Sequence, residues 1–251
     1  MFKYLLLLFF LVLSLKAETI SIIADEWCPY NCSQKGLNKG YMIDIATEVF
    51  NNKGYKVKYI SNISWKEAIQ KTQEGKYDAI VGAYKSDAPS FIYPKNSLGV
   101  SYNVFFTKTS SQWKYTDIHS LDSIKFGAIT GYSYGEEIDK YIEKYKNDSS
   151  RVQLISGNRA IYHNAKKLLY NTIDALIEDP YVIKYYFKLQ DKQFPFKTVS
   201  TPFSEKIYIA FSPTNPKSKE YAKILSDGVQ ELRENGKLKE ILAKYDIDDW
   251  E

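Results

Sequence analysis

The sequence predicts an α/β protein of two lobes, on three observations. Two successive strand–helix–strand–helix–strand runs follow one another, the second after an extended segment at 99–108. Residues 77–83 form a strand, apolar but for Asp78, suited to burial on both faces. Helix starts are marked by side chains that bond the free N–H groups of a first turn, most plainly at Ser64 and Asp179.

The first run opens with a strand at 19–24. A helix over 43–53 places Ile45, Ala46, Val49 and Phe50 on one face and stops at Gly54. Residues 55–60 alternate like a half-buried strand. Ser64 with Glu67 three residues on makes a capping box, and Gly75 ends that helix before strand 77–83. In the extended segment 99–108, Tyr102, Val104 and Phe106 alternate with Ser101, Asn103 and Phe105.

The second run begins with strand 125–129 and a helix whose Ile138, Tyr141, Ile142 and Tyr145 repeat at helical spacing. Strand 152–155 precedes a helix capped by Asn158, with Ile161, Ala165, Leu168 and Leu169 in a stripe. Strand 173–178 meets Asp179-Pro180, a cap followed by proline at the first helical position. Strand 206–212 returns, Asn215-Pro216 repeats the capping device for a long helix to Asn235-Gly236, and Leu238, Ile241 and Leu242 mark a last short helix.

Composition excludes several classes. The 251 residues are 44% hydrophobic and 25% charged, too rich in core formers for a disordered chain. The net charge of +4 is small and no Lys/Arg cluster is free of interleaved acids, so no nucleic-acid partner is expected. Only Arg151, Arg159 and Arg233 offer a guanidinium fork, whereas Tyr numbers 22, Phe 13 and Trp 4. The sequence holds no Gly-x-Gly-x-x-Gly, Walker loop, Gly-x-Ser-x-Gly or His-Glu-x-x-His. His119 and His163 stand alone, so neither a metal nor another cofactor is expected.

Lys3 precedes a twelve-residue stretch, 4–15, that is apolar but for Ser14, and Lys16-Ala17 follows, the pattern of a secretory signal peptide over 1–17. A spanning helix needs roughly 20 apolar residues. Cleavage leaves 32 cations against 30 anions. Outside the cytosol Cys28 and Cys32 are expected to form a disulfide, which shapes the 27–31 turn; the spacing is one residue too long for a thioredoxin-type pair. In open α/β sheets ligands bind beyond the carboxyl ends of the strands, which selects the turns 25–31, 82–87, 130–135 and 178–181.

Four segments in this order resemble a known family. They are Gly40-Tyr41-Met42-Ile43-Asp44-Ile45; Trp65-Lys66-Glu67-Ala68-Ile69 with Gly75-Lys76-Tyr77-Asp78-Ala79; Asp174-Ala175-Leu176-Ile177-Glu178-Asp179; and Leu232-Arg233-Glu234-Asn235-Gly236 with Ile241-Leu242-Ala243-Lys244-Tyr245. Together they are similar to the family 3 extracellular solute-binding proteins, the periplasmic receptors of polar amino-acid ABC importers. The likeness covers 18–245. It implies a type II periplasmic-binding fold with a two-strand hinge, lobe 1 being 18–105 with 207–251 and lobe 2 being 106–206. It also implies a monomeric receptor that closes on a small polar ligand, an amino acid or related metabolite, and hands it to an inner-membrane ABC permease. The same fold serves membrane-sensor subunits and periplasmic dehydratases; for the latter Glu26 or Glu178 would be the acid, without an evident partner base. An adhesion module fits the cleft-forming order poorly.

The resemblance carries site residues over one by one. Trp65 falls where the family sets an aromatic ring against the ligand, and Trp27 and Tyr30 near a second aromatic wall; core packing is the alternative for each. Asp179 matches the carboxylate that receives a ligand ammonium, a role compatible with capping if one oxygen stays free, and Asp25 is a second candidate anion. Tyr132, Ser133 and Tyr134 match a helix N-terminus that holds a carboxylate, or form an ordinary turn. Gly82 and Ala83 end the apolar strand at the cleft. The departure comes next: the family's carboxylate-clamping arginine is replaced by Pro89 or Ser90. Lys85 is then the nearby cation, either reaching the cleft or solvated in its turn, and Arg159 is a more distant substitute.

Overall fold

The computed structural model describes residues 17–157, 159–199 and 203–251. The signal-peptide stretch 1–16 and the Asn158 cap lie outside them.

The first half contains strand β1 (Thr19–Ile23), helix α1 (Tyr41–Asn52), β2 (Lys56–Ile60), α2 (Trp65–Gln73) and β3 (Ala79–Ala83). Between β1 and α1 the chain makes a loop closed by the Cys28–Cys32 disulfide, with Cα atoms 4.4 Å apart and a cis Cys28–Pro29 peptide. α1 starts at Tyr41, two residues before the sequence pattern suggests, because its first donors are met by this loop. Tyr41 N–H bonds Pro29 O and Met42 N–H bonds Tyr30 O, with no side-chain cap. Gly40 permits that approach: its φ is +99°, and a Cβ there would lie 2.5 Å from Tyr30 O. Ser64 caps α2 through the Glu67 N–H, but the Glu67 carboxylate turns to Lys71 at 2.6 Å, so only half of the capping box forms.

Strand β4 (Gly99–Lys108) leads to a 3-10 turn at Ile118–Ser123, then β5 (Phe126–Ile129), α3 (Glu136–Tyr145), β6 (Val152–Ile155), α4 (Ala160–Leu169), β7 (Ala175–Glu178), α5 (Pro180–Lys188) and a short β8 (Phe196–Thr198). Strand β9 (Phe203–Phe211), α6 (Ser218–Glu234) and α7 (Lys237–Ala243) return to the first half. Asp179 caps α5 with bonds from the Tyr181 and Val182 N–H groups, as its Asp-Pro pair predicts. The Asn215-Pro216 device is displaced: Asn215 Oδ1 accepts from Lys217 N, its Nδ2 holds Asp78 Oδ1 at 2.7 Å, and α6 begins only at Ser218.

The strand order is β2-β1-β3-β9-β4-β7-β5-β6, with β8 beside β4. β1 pairs in parallel with β2 and β3, and β5 with β6 and β7; the joins through β9 and β4 are antiparallel. The two long strands divide their length. β4 pairs β9 through Gly99–Asn103 and β7 and β8 beyond, while β9 pairs β3 through its far end. These two strands therefore connect two α/β halves. Phe50, Phe211 and Tyr221 centre one core. Phe105, Phe126 and Tyr134 lie on one face of the second half, and Phe106, Phe187 and Phe196 on the other. Every residue of β7 is buried, as expected for a parallel strand covered by helices on both faces.

Candidate functional site

The carboxyl ends of β1, β3 and β5 face one another across a narrow cleft with about 20 Å³ of free space. Past β1 come Asp25, Trp27 and Asn31; at and past β3, Val81, Gly82, Tyr84 and Asp87; past β5, Tyr132 and Ser133; and Trp65 enters from the first position of α2. Trp27 stacks on Tyr30 with centroids 4.3 Å apart and presents its face to the edge of Tyr132 at 6.5 Å. Gly82 lets the wall close up: its φ is +84°, and a Cβ would meet Asn31 Oδ1 at 3.0 Å and the Trp27 ring at 3.4 Å.

Three hydrogen bonds join loops of the two halves around this cleft. The Tyr132 hydroxyl donates to Asp25 Oδ2 at 2.6 Å, the Tyr30 hydroxyl to Asp179 Oδ2 at 2.9 Å, and Trp27 Nε1 to Glu178 Oε1 at 3.1 Å. Asp179 is wholly buried and both its oxygens are engaged. Oδ1 takes the Tyr181 and Val182 N–H groups; Oδ2 takes Tyr30, the Ser101 hydroxyl and the Tyr102 N–H. The oxygen that sequence reasoning left open for a ligand ammonium is thus already occupied, and Asp179 braces the wall behind Trp27.

The other expected site residues divide. Asp25, Trp27, Trp65, Gly82, Tyr132 and Ser133 come together at the cleft, with Tyr30 one layer behind. Ala83 is buried in β3. Lys85 points away, its ammonium 5.3 Å from the Tyr208 ring, because the 84–87 turn is tied inward through the Tyr84 N–H on Asp87 Oδ2. Tyr134 faces the second core and its hydroxyl accepts the Ile129 N–H at 2.7 Å. Arg159 lies over Tyr162 at a separate opening beside the disulfide loop and α5. Asn31, Tyr84 and Asp87 sit in the turns that the strand-end rule selects, though residue type alone does not mark them; Val81 lies in the middle of buried strand β3 and gives no polar signal.

Burial dominates the electrostatics. It pushes Asp25 up to about 6 against the Tyr132 bond, Asp87 up to about 7 against the Tyr84 N–H, and Glu178 up to about 8 against the Asp179 N–H and Trp27. Asp179 is raised for the same first reason. Between the unfolded values of 3.8 to 4.5 and these folded ones, the folded chain binds more protons than the unfolded chain, so stability falls as pH rises. The carboxylates lowered by partners, such as Glu18 and Asp148, are ionised in both states there and add no slope. Thermal unfolding of the ligand-free protein should drop by more than about 5 °C from pH 5 to pH 8. A flat profile in differential scanning calorimetry would contradict this buried-acid assignment.

The sequence profile of the bacterial extracellular solute-binding proteins, family 3, matches residues 20–247. No curated protein matches the chain. Among solved structures, an ABC uptake transporter substrate-binding protein from Streptococcus pneumoniae with bound histidine is similar with a TM-score of 0.74 or better, at 0.76, with 22% identity over 92% of this chain and 94% of that one. A structure tied to glutathione import via GshT and the cystine ABC importer TcyBC of Streptococcus mutans gives 0.74, with 20% identity over 92% and 95%. A histidine kinase sensor domain with similarity to periplasmic binding proteins gives 0.73, with 16% identity over 91% and 96%. These likenesses establish the type II periplasmic-binding fold. Among the described residues, no helix is long and apolar enough to cross a membrane.

Proposed function

The chain belongs to family 3 of the bacterial extracellular solute-binding proteins, and from that premise we propose that it is a periplasmic, monomeric receptor delivering a small polar ligand to an inner-membrane ABC permease. Its lobes are 18–105 with 207–251, and 106–206, with 1–17 removed on export. The observation that carries this reading is the Tyr132–Asp25 hydrogen bond across the cleft, which couples the two halves beside the aromatic walls. A guest touching both halves favours the closed arrangement by the difference in its affinity for the closed and open forms.

Binding is the proposal in preference to catalysis. Glu178 is spent on Trp27 and Asp179, and Glu26 accepts from Ser61 and faces the opening that Arg159 lines, so neither stands at the cleft. Titration calorimetry against a panel of free amino acids and simple amines tests the proposal, with solution scattering for closure. A stoichiometric binder that compacts the protein is expected, and Trp65→Ala should weaken it more than tenfold. Turnover of a bound compound, or a scattering profile unchanged by every binder, would overturn the receptor reading.

A further inference from the structure

Three donors that a ligand carboxylate could use around this cleft are taken by the chain's own carboxylates. Ahead of α3, the Ser133 hydroxyl donates to Asp139 Oδ2 at 2.6 Å and the Tyr134 N–H to Asp139 Oδ1 at 2.8 Å. Past β3, the Tyr84 N–H donates to Asp87 Oδ2 at 2.9 Å. Asp139 thus already holds two of the donors in the loop ahead of α3.

What remains at the cleft accepts. Asp25 and Asp87 line it, and none of the side chains that line it is basic. Asn31 is buried at 1% exposure; its Nδ2 donates to Asp25 O at 2.7 Å, while its Oδ1, on the wall beside Gly82, has no hydrogen-bond partner in the protein. A buried acceptor without a donor costs free energy until something supplies one. The faces of Trp27, Trp65, Tyr84 and Tyr132 complete the walls, and such rings attract cations through their quadrupoles. A carboxylate brought among these groups would meet like charge; a protonated nitrogen would meet two acids, an orphan amide oxygen and π faces.

We propose that the guest is a small organic cation bearing N–H groups and no carboxylate: an amine or guanidine, not an α-amino acid. The assignment rests on the receptor reading above and narrows it. The orphan Asn31 oxygen favours a protonated primary or secondary nitrogen, which can donate, over a quaternary one, which cannot.

Matched pairs that differ only in the carboxylate test it on the wild-type protein: histamine against histidine, agmatine against arginine, tyramine against tyrosine, each by titration calorimetry with scattering. At least one amine is expected to bind at least tenfold tighter than its amino acid and to close the lobes. Asp87→Asn should weaken that amine about tenfold or more, with its amino acid less affected. Amino acids that bind as tightly as or tighter than their amines would overturn the cation assignment and leave the receptor reading standing. Silence of both members of every pair, with no closure, would overturn both.

Discussion

Asp179→Ala should lower the thermal midpoint by about 10 °C, the largest stability loss expected of any substitution near the cleft. The carboxylate is wholly buried and gathers five donors from three segments: Tyr30 from the disulfide loop, Ser101 and Tyr102 from β4, Tyr181 and Val182 from α5. Truncation leaves the N–H groups at the start of α5 and on β4 without their acceptor around a site where the carboxylate itself was wholly buried. Unsatisfied buried groups cost about 1–3 kcal/mol each, and hydroxyls that can rotate lower the sum, so a total of about 3–5 kcal/mol is expected. At about 2–4 °C per kcal/mol for a chain of this size, that gives the shift above. Asp179→Asn keeps one oxygen in place and should lose about half as much. A midpoint within about 2 °C of wild type for the alanine variant would show that the network does not hold this wall.

The same residue shows what could be read in advance. Asp-Pro at the head of a helix is a local signal, and α5 begins where it says. Local signals also place strands of both halves, as apolar runs at β3 and β7 and as alternation at β2 and β4. What they miss is set by distant partners. Strand β8 is three residues long and exists because Phe196–Thr198 lies against the far end of β4. The early start of α1 depends on carbonyls of Pro29 and Tyr30 in the disulfide loop. Both are tertiary effects with no periodic signature.

The cleft divides in the same way. Its location follows from topology, since the carboxyl ends of β1 and β3 in one half and of β5 in the other face the same cleft, and its aromatic walls are nominated by residue type. Its polarity was not legible. An acid can cap a helix, face a ligand or do both, and sequence cannot choose, because the choice depends on which donors reach it. Asp179 collects five of them, so its part is structural. Asp87, in one of the turns that the strand-end rule selects, lines the cleft wall with Tyr84, and Lys85 beside it is turned outward. Of the expected charges only Asp25 lines the cleft, joined there by Asp87, while Lys85 and Arg159 lie elsewhere.

Tyr132→Phe should cost ligand affinity and almost no stability, the opposite signature. The phenylalanine keeps the ring that meets Trp27 edge-on and removes only the hydroxyl that donates to Asp25 at 2.6 Å. Asp25 follows β1 and Tyr132 follows β5, in halves connected through β4 and β9, so the bond belongs to the closed arrangement. An interaction present in one of two states shifts the equilibrium by its own free energy, and a hydrogen bond to a charged group contributes about 1.5–3 kcal/mol. Affinity for a bound amine should fall about tenfold to a hundredfold, through faster dissociation and with little change in association. The ligand-free midpoint should stay within about 2 °C of wild type, because Asp25, which burial already pushes up to about 6, can take up a proton when the hydroxyl is lost. Stopped-flow dissociation measured beside calorimetry separates the two effects. Equal dissociation rates for variant and wild type would mean that the Tyr132–Asp25 contact does not hold the halves together, and closure would have to rest on Trp27 and Tyr30 instead.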